Sequence, residues 1–256
     1  CGDSITEQKQ YSVFIEDYLL MCQPAAQMRV MQAGWGGEVV HGFINRVDRD
    51  VLALQPTVVT TCYGMNDGGY GGFDQGRAKL YRDTHKSLVA KLRGAGVRMV
   101  VLGSPGVVDS GTFRGGGDPA GLYNETLRQF SDIVREVAAE ENVIFADVHT
   151  PMMEAMAAAK AKYGAGYHLA GGDGVHPWQN GQLVMAYAFL KALGCDGDIG
   201  TITLDLTGGK AQATDGHEVL SCAGGAVELE STRYPFCFFG NPADPSATSG
   251  VIEFIP

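Results

Sequence analysis

The sequence predicts an α/β fold: a parallel, doubly wound sheet with helices on both faces, followed by a small β-rich appendage. Three observations predict it. Between residues 8 and 193, runs of strand length alternate with amphipathic runs of helix length, the signature of repeated β–α units. The strand-like runs are β-branched and nearly continuous in apolar residues, as expected of strands covered on both faces. From Thr201 the texture changes to short alternating runs punctuated by Gly, Asp and Pro, which read as small antiparallel strands. The 256-residue length and 45% hydrophobic content suit one domain of about 200 residues with an appendage. The expected division is 1–196 and 197–256.

The elements follow in chain order. Residues 8–23 place Tyr11, Phe14, Ile15, Tyr18, Leu19 and Cys22 at helical spacing, and Pro24 ends the run. Met28–Met31 reads as a short strand. Val39–Leu54 reads as one amphipathic helix, with Val40, Phe43, Ile44, Val47, Val51, Leu52 and Leu54 apolar. Thr57–Tyr63 is a buried strand. Gly76–Arg93 is a second amphipathic helix, stopped by Gly94 and Gly96, and Val97–Gly103 is the next strand. Leu122–Glu141 reads as a helix, Val143–Val148 as a strand, and Thr150–Tyr163 and Gln179–Leu193 as the last two helices. In the tail the strand-like runs are 201–206, 209–215, 217–222, 226–231, 234–239 and 250–255.

Composition excludes several functions. A formal net charge of −10 disfavours a nucleic-acid partner, because binding phosphates needs a basic face. No apolar run approaches the ~18 residues that cross a bilayer, so no transmembrane segment is expected. The six cysteines form no Cys-x-x-Cys pair, which argues against a zinc site; neither a metal nor a cofactor is expected. Cys22 and Cys62 read as plain buried thiols, whereas a disulfide among Cys195, Cys222 and Cys237 stays open. The compartment is open too, with a secreted or periplasmic location favoured. Many of the 36 glycines fall in loops, and no Gly-rich stretch ends in the Gly-Lys-Ser/Thr of a P-loop.

In a sheet of this kind, ligands sit beyond the carboxyl ends of the strands. Four segments fall at the carboxyl end of an expected strand or beside a helix start. The chain opens Cys1-Gly2-Asp3-Ser4, a tight turn that leads into the first helix. Serine hydrolysis needs an Oγ exposed at such a turn, beside N–H groups that face developing negative charge. Gly34 follows the first strand-like run, and Asn66 follows the second; a glycine N–H and a side-chain amide can both donate to an oxyanion. Asp173-Gly174-Val175-His176-Pro177 supplies a carboxylate one helical turn from an imidazole, so that the acid can fix the tautomer and the ring can take the serine proton. Taken singly, each segment has a bland explanation: an N-cap, a tight turn, an Asx-turn, a surface loop. Their joint occurrence in one order overturns it. A nucleophile turn also needs a strand to hold it, so a central strand is expected upstream of residue 1. The run ending at Ile255 leaves a continuation beyond Pro256 open.

Together the four segments resemble the sequence blocks of the GDSL esterase/lipase family, also called SGNH hydrolases. Gly2–Ser4 matches the Gly-Asp-Ser block. Residues 32–37 resemble the family's Asn-x-Gly-x-x-Gly, with Gln32 in place of the usual Asn. Gly64–Asp67 resembles Gly-x-Asn-Asp, and Asp173–Pro177 resembles Asp-x-x-His-Pro. The resemblance spans residues 1 to about 193 and leaves out the tail. It implies a flavodoxin-like three-layer α/β/α fold with strand order 2-1-3-4-5. It implies ester hydrolysis through an acyl-enzyme, with Ser4 as nucleophile, His176 as base and Asp173 orienting it. The N–H groups of Ser4 and Gly34 and the amide of Asn66 would form the oxyanion hole.

The choice of ester is less legible. Trp35 adjoins Gly34, and Trp178 stands two residues after His176. Indole faces there would suit a sugar ring, an apolar acyl chain, or simple core packing. The loops 68–76 and 109–118 should rim the pocket, with Arg114 solvated. No apolar lid helix is evident, and many proteins that resemble this chain cleave short acyl esters or deacetylate carbohydrates. The expected function is therefore a short-chain, acetyl, carbohydrate esterase. The alternatives are a lysophospholipase or acyl thioesterase, and a non-catalytic glycan-binding module on a hydrolase fold.

Overall fold

Three parallel strands carry the fold: β1 (Val58–Cys62), β2 (Met99–Gly103) and β3 (Ile144–Ala146), hydrogen-bonded in the order β1-β2-β3. The computed structural model describes residues 1–24, 28–115, 121–237, 240–241, 243–244 and 246–255. Beside β1 the sheet continues through Gly2, which bridges in parallel to Cys62 on one side and Gly34 on the other. The Cys62 N–H donates to the Cys1 carbonyl at 2.9 Å, and the Trp35 N–H to the Gly2 carbonyl at 3.0 Å. The lateral order is thus Gly34, residues 1–2, β1, β2, β3, in keeping with the 2-1-3-4-5 order that the resemblance implied.

Residues alternate across the sheet as the period of two demands. Val100 and Leu102 face one buried cluster, and Val101 faces the other. The first cluster gathers α3 (Val40–Phe43), α4 (Val47–Asp50), α5 (Gln75–Gly94) and the Phe130–Val137 face of α6 (Leu122–Glu140). The second gathers α1 (Ser4–Glu7), α2 (Gln10–Cys22), α7 (His149–Tyr163) and α8 (Gln179–Ala192). That is a three-layer α/β/α arrangement. Local signals explain the helix ends: Asp74 caps α5 by accepting from the Arg77 N–H at 2.7 Å, and Lys91 and Arg93 sit in its last turn.

Several expectations need correction. Met28–Met31 forms no strand; the segment that would pair with it is residues 1–2, and only Gly34 lies opposite. The single helix expected over Val39–Leu54 is three pieces, α3, α4 and a 3-10 turn at Leu52–Leu54. Of its apolar residues Val40, Phe43, Val47 and Val51 are buried, whereas Leu54 is 55% exposed, and the backbone repeatedly tightens to i→i−3 bonds, from Gly42 to Val39 and from Asn45 to Gly42. The helix after the Gly-Asp-Ser turn breaks at Lys9, whose φ of 66° is left-handed, so Ser4 begins a one-turn helix of its own.

The tail forms two antiparallel pairs: β4 (Ile202–Asp205) with β5 (Lys210–Ala213), and β6 (His217–Ala223) with β7 (Ala226–Ser231). Tyr234–Cys237 is irregular, and the rest of that expected strand lies outside the described residues. The run 250–255 is not a strand. It lies in 3-10 turns at Thr248–Gly250 and Ile252–Phe254, which turn Val251 fully into the second cluster while Ile252 stays exposed. Its amides are satisfied locally, as in Phe254 N–H to the Val251 carbonyl. All six cysteines are free thiols, with Cys22 and Cys62 buried. No helix among the described residues is long and apolar enough to cross a membrane.

Candidate active site

The Gly-Asp-Ser turn is built from its own residues. Asp3 is the N-cap of α1, and its Oδ1 accepts from the Ile5 N–H at 2.9 Å. Burial raises the Asp3 carboxyl to about 6, an effect that the Ile5 N–H partly opposes. Gly34 presses against this turn. A Cβ there would meet backbone atoms of Glu7 at 2.4 Å, Thr6 at 2.8 Å and Asp3 at 2.9 Å, so only glycine lets the two loops approach. On the other side, Gln182 of α8 ties the turn down. Its Nε2 donates to the Ile5 carbonyl at 3.3 Å, and its Oε1 accepts from the Tyr11 N–H at 3.2 Å.

The Asp173–His176 loop folds around one carboxylate. Oδ1 of Asp173 accepts from the backbone N–H groups of Val175 and His176, each at 2.9 Å. Oδ2 lies 2.6 Å from His176 Nδ1. Partial burial works to raise the Asp173 carboxyl, but the His176 backbone and ring hydrogen bonds and the Val175 N–H together outweigh it. The group sits below its ordinary value. Gly171, at φ 77°, backs the loop so closely that a Cβ would overlap the His176 carbonyl.

These two loops bring Ser4, His176 and Asp173 together. Ser4 Oγ lies 2.8 Å from His176 Nε2. A carboxylate only accepts, so in the neutral ring Nδ1 carries the proton and Nε2 offers its lone pair to the serine hydroxyl. The site is open: the His176 and Asp173 side chains are 37% and 56% exposed.

The two expected oxyanion donors beyond Ser4 lie on neighbouring loops that share a brace. The Gly34 N–H donates to Oε1 of Gln32. Asn66 Nδ2 donates to the Glu38 carbonyl at 3.0 Å. The Glu38 carboxylate accepts from Arg46 Nε at 2.6 Å and from Tyr63 Oη at 2.7 Å, and Arg46 Nη2 donates to the Ala33 carbonyl at 2.8 Å. Next to Asn66, the carboxylate of Asp67 accepts from the Val40 and Gly64 N–H groups. Burial raises its carboxyl to about 7.

Trp35 and Trp178 are not core residues. They are 59% and 44% exposed. Trp35 lies over the Arg46 guanidinium at 5.6 Å, and Trp178 stands edge-to-face with His168 at 5.9 Å. Arg114 is exposed, as expected, and lies 5.3 Å above the Tyr70 ring. Sequence reasoning missed Glu38, Arg46, Gln182 and Tyr70. Their partners are distant in the chain or lie within an irregular loop, and no periodicity marks them. Asp67 was visible as the last residue of its block, without a role.

A separate cavity of about 460 Å³ opens between α6 and α7, lined in part by Asp109, Arg128, His149 and Lys160. Its charges pair among themselves, Lys160 with Asp109 at 2.5 Å and Arg128 with Glu125 at 2.7 Å. Among the described residues, no group of three or more His, Cys, Asp or Glu could hold a metal ion.

A three-layer α/β/α fold thus carries a serine, a histidine and an aspartate hydrogen-bonded in line at the carboxyl edge of its sheet. The chain belongs to the GDSL-like Lipase/Acylhydrolase family, whose model matches residues 1–184. It is a carboxylic ester hydrolase. It is 26% identical over 191 residues to an acetylxylan esterase from Geobacillus stearothermophilus, a match covering 72% of this chain and 80% of that protein. Two solved structures are similar. One is a gut microbial diltiazem-metabolizing enzyme, with a TM-score of 0.81 and 25% identity; the match covers all of this chain but 61% of that one. The other is Axe2, the acetylxylan esterase from G. stearothermophilus, with a TM-score of 0.58 and 25% identity over 75% of this chain and 91% of that one.

Proposed function

We propose that this esterase cleaves short acyl esters, above all acetyl groups on carbohydrate, through Ser4, His176 and Asp173. The observation that carries the reading is the hydrogen-bonded line from Ser4 Oγ through His176 to Asp173, in an open site. Ser4 Oγ bonds to the ester carbonyl carbon while its proton passes to His176 Nε2. Asp173 stabilises the resulting imidazolium. The carbonyl oxygen becomes an oxyanion held by the N–H groups of Ser4 and Gly34 and by the Asn66 amide, each donor contributing about 3 kcal/mol. Gln32, a neutral acceptor, yields the Gly34 N–H to the charged oxygen. Collapse of the intermediate breaks the ester bond, and the departing alkoxide takes the proton from His176. Water then attacks the acyl-enzyme with His176 again as base, which releases the carboxylic acid and restores Ser4.

The substrate class draws on three supports. Two exposed indoles suit the faces of a sugar ring. The active site is open where a long acyl chain would need an apolar groove. A similar protein is an acetylxylan esterase. The test is a panel of esters of increasing acyl length together with acetylated xylo-oligosaccharides, run on the wild type and Ser4→Ala. Acetyl esters should give the highest kcat/KM, and Ser4→Ala should lower kcat by about 10⁴-fold or more. Best turnover at C8 or longer would sink the substrate reading; full activity of Ser4→Ala would sink the nucleophile.

A further inference from the structure

Asn66 can serve an oxyanion only if the nitrogen end of its amide faces the reacting carbonyl. The two ends of an amide have nearly the same shape, so something must choose between them. Two contacts make that choice. The Glu38 carbonyl accepts a hydrogen bond from Nδ2 at 3.0 Å, and a carbonyl cannot donate, so nitrogen must stand on that side. At the other end, the Tyr70 hydroxyl lies 2.5 Å from Oδ1 and donates to it. One amide hydrogen is thus committed to Glu38, and the second is left for the oxyanion.

Tyr70 is held for this contact at a cost in backbone geometry. Its φ is 59°, a left-handed conformation that bulky side chains rarely adopt and that glycines on either side of it would accept freely. The ring is fixed by stacking. Tyr123 lies 5.3 Å from it and Phe113 lies 6.0 Å away, with the Arg114 guanidinium above at 5.3 Å. Burial, together with the nearby Asp3 carboxylate, keeps the phenol protonated, and Arg114 opposes this only in part. A half-buried tyrosine in a glycine conformation, its ring held between neighbouring aromatics and its hydroxyl aimed at one amide oxygen, is an arrangement with a purpose.

We infer that Tyr70 is a positioning residue for the reaction: its hydroxyl locks the Asn66 amide with the nitrogen end toward the ester carbonyl. The inference rests on the oxyanion role proposed for Asn66. When Tyr70 stops donating, the Glu38 carbonyl alone holds the amide, its orientation loosens, and the oxyanion loses part of a preorganised donor while substrate binding is untouched. The loss therefore falls on kcat and not on KM.

Tyr70→Phe, Asn66→Ala and the double variant test this with steady-state kinetics on an acetyl ester. Tyr70→Phe should lower kcat about tenfold, the size of one neutral hydrogen bond, with KM within twofold of wild type. In the Asn66→Ala background the same change should do almost nothing, because Tyr70 acts only through that amide. Unchanged kcat in Tyr70→Phe, or an equal further loss in the double variant, would overturn the inference. Near-normal activity of Asn66→Ala alone would instead overturn the oxyanion reading beneath it. Should Tyr70→Phe fold poorly, 3-nitrotyrosine at position 70 keeps the ring and ionises at lower pH. A phenolate cannot donate, so that variant alone should lose kcat as pH rises through its ionisation, and a pH profile parallel to wild type would count against the inference.

Discussion

The two ends of this chain are built on opposite physical terms. The strands β1–β3 lie between two buried clusters, and most of their residues are covered on both faces. In the tail, every residue of β4 is exposed, and β5–β7 bury none of theirs. The tail strands are held by cross-strand hydrogen bonds within pairs, a marginal source of stability in water. Only the segment after them returns to the core: Val251 is fully buried, Phe236 meets Phe14 edge-to-face, and Lys162 pairs with Glu253. The difference teaches where rigidity is spent. The sheet edge that bears Ser4 is fixed by packing on both sides, as a reacting geometry requires, while the hairpins beyond Thr201 bear no such demand.

The largest effect expected from breaking this contrast is at Gly34. Alanine there would drive a methyl into the backbone of the nucleophile turn, so Gly34→Ala should reduce kcat by roughly 10² or more. Retained kcat would show that the two loops are looser than their contact suggests. A smaller effect compares the tail with itself. Val251→Ala removes buried methyl groups and should cost about 2 kcal/mol of unfolding free energy in urea titrations. Leu206→Ala, at a side chain 91% exposed, should leave stability unchanged, and equal losses would mean that the hairpins are packed after all. The last effect is a graded pH dependence. Burial raises Asp67 from 3.8 to about 7, so the folded state holds this proton more tightly than the unfolded chain. The stability it contributes is complete below about 3.8 and is lost as pH rises through about 7. Wild type should lose up to roughly 1 kcal/mol per pH unit from this group across that window, relative to Asp67→Asn. Parallel stability curves for the two proteins would remove Asp67 from the account.

Much of the site was legible because its chemistry is local. The Asp173 carboxylate folds its own loop and reaches an imidazole three residues on, so a spacing in the sequence is enough to suggest the pair. The glycine at position 34 and the amide at 66 each follow a strand-like run. Tyr70 was not legible, because its hydroxyl finds Asn66 only when a left-handed turn brings it there. Arg46 was hidden as well. It sits within an expected helix, and nothing in that periodicity says that its guanidinium holds the Ala33 carbonyl beside Gly34.

By itself the sequence determined the alternation of strands and helices, the apolar faces, and which residue types stand at the carboxyl ends of strands. Periodicity and residue chemistry are properties of short segments, and they survive whatever the rest of the chain does. Tertiary structure alone decided that Val39–Leu54 would break into short turns, that Met28–Met31 would leave the sheet, and that the last run would coil inward on Val251. It also decided how the Asn66 amide is turned, nitrogen toward the Glu38 carbonyl and oxygen toward the Tyr70 hydroxyl. The inward coil depends on a core built from distant parts of the chain and the amide on a carbonyl 28 residues away; the free energy of a long-range contact cannot be read from the segment that will make it.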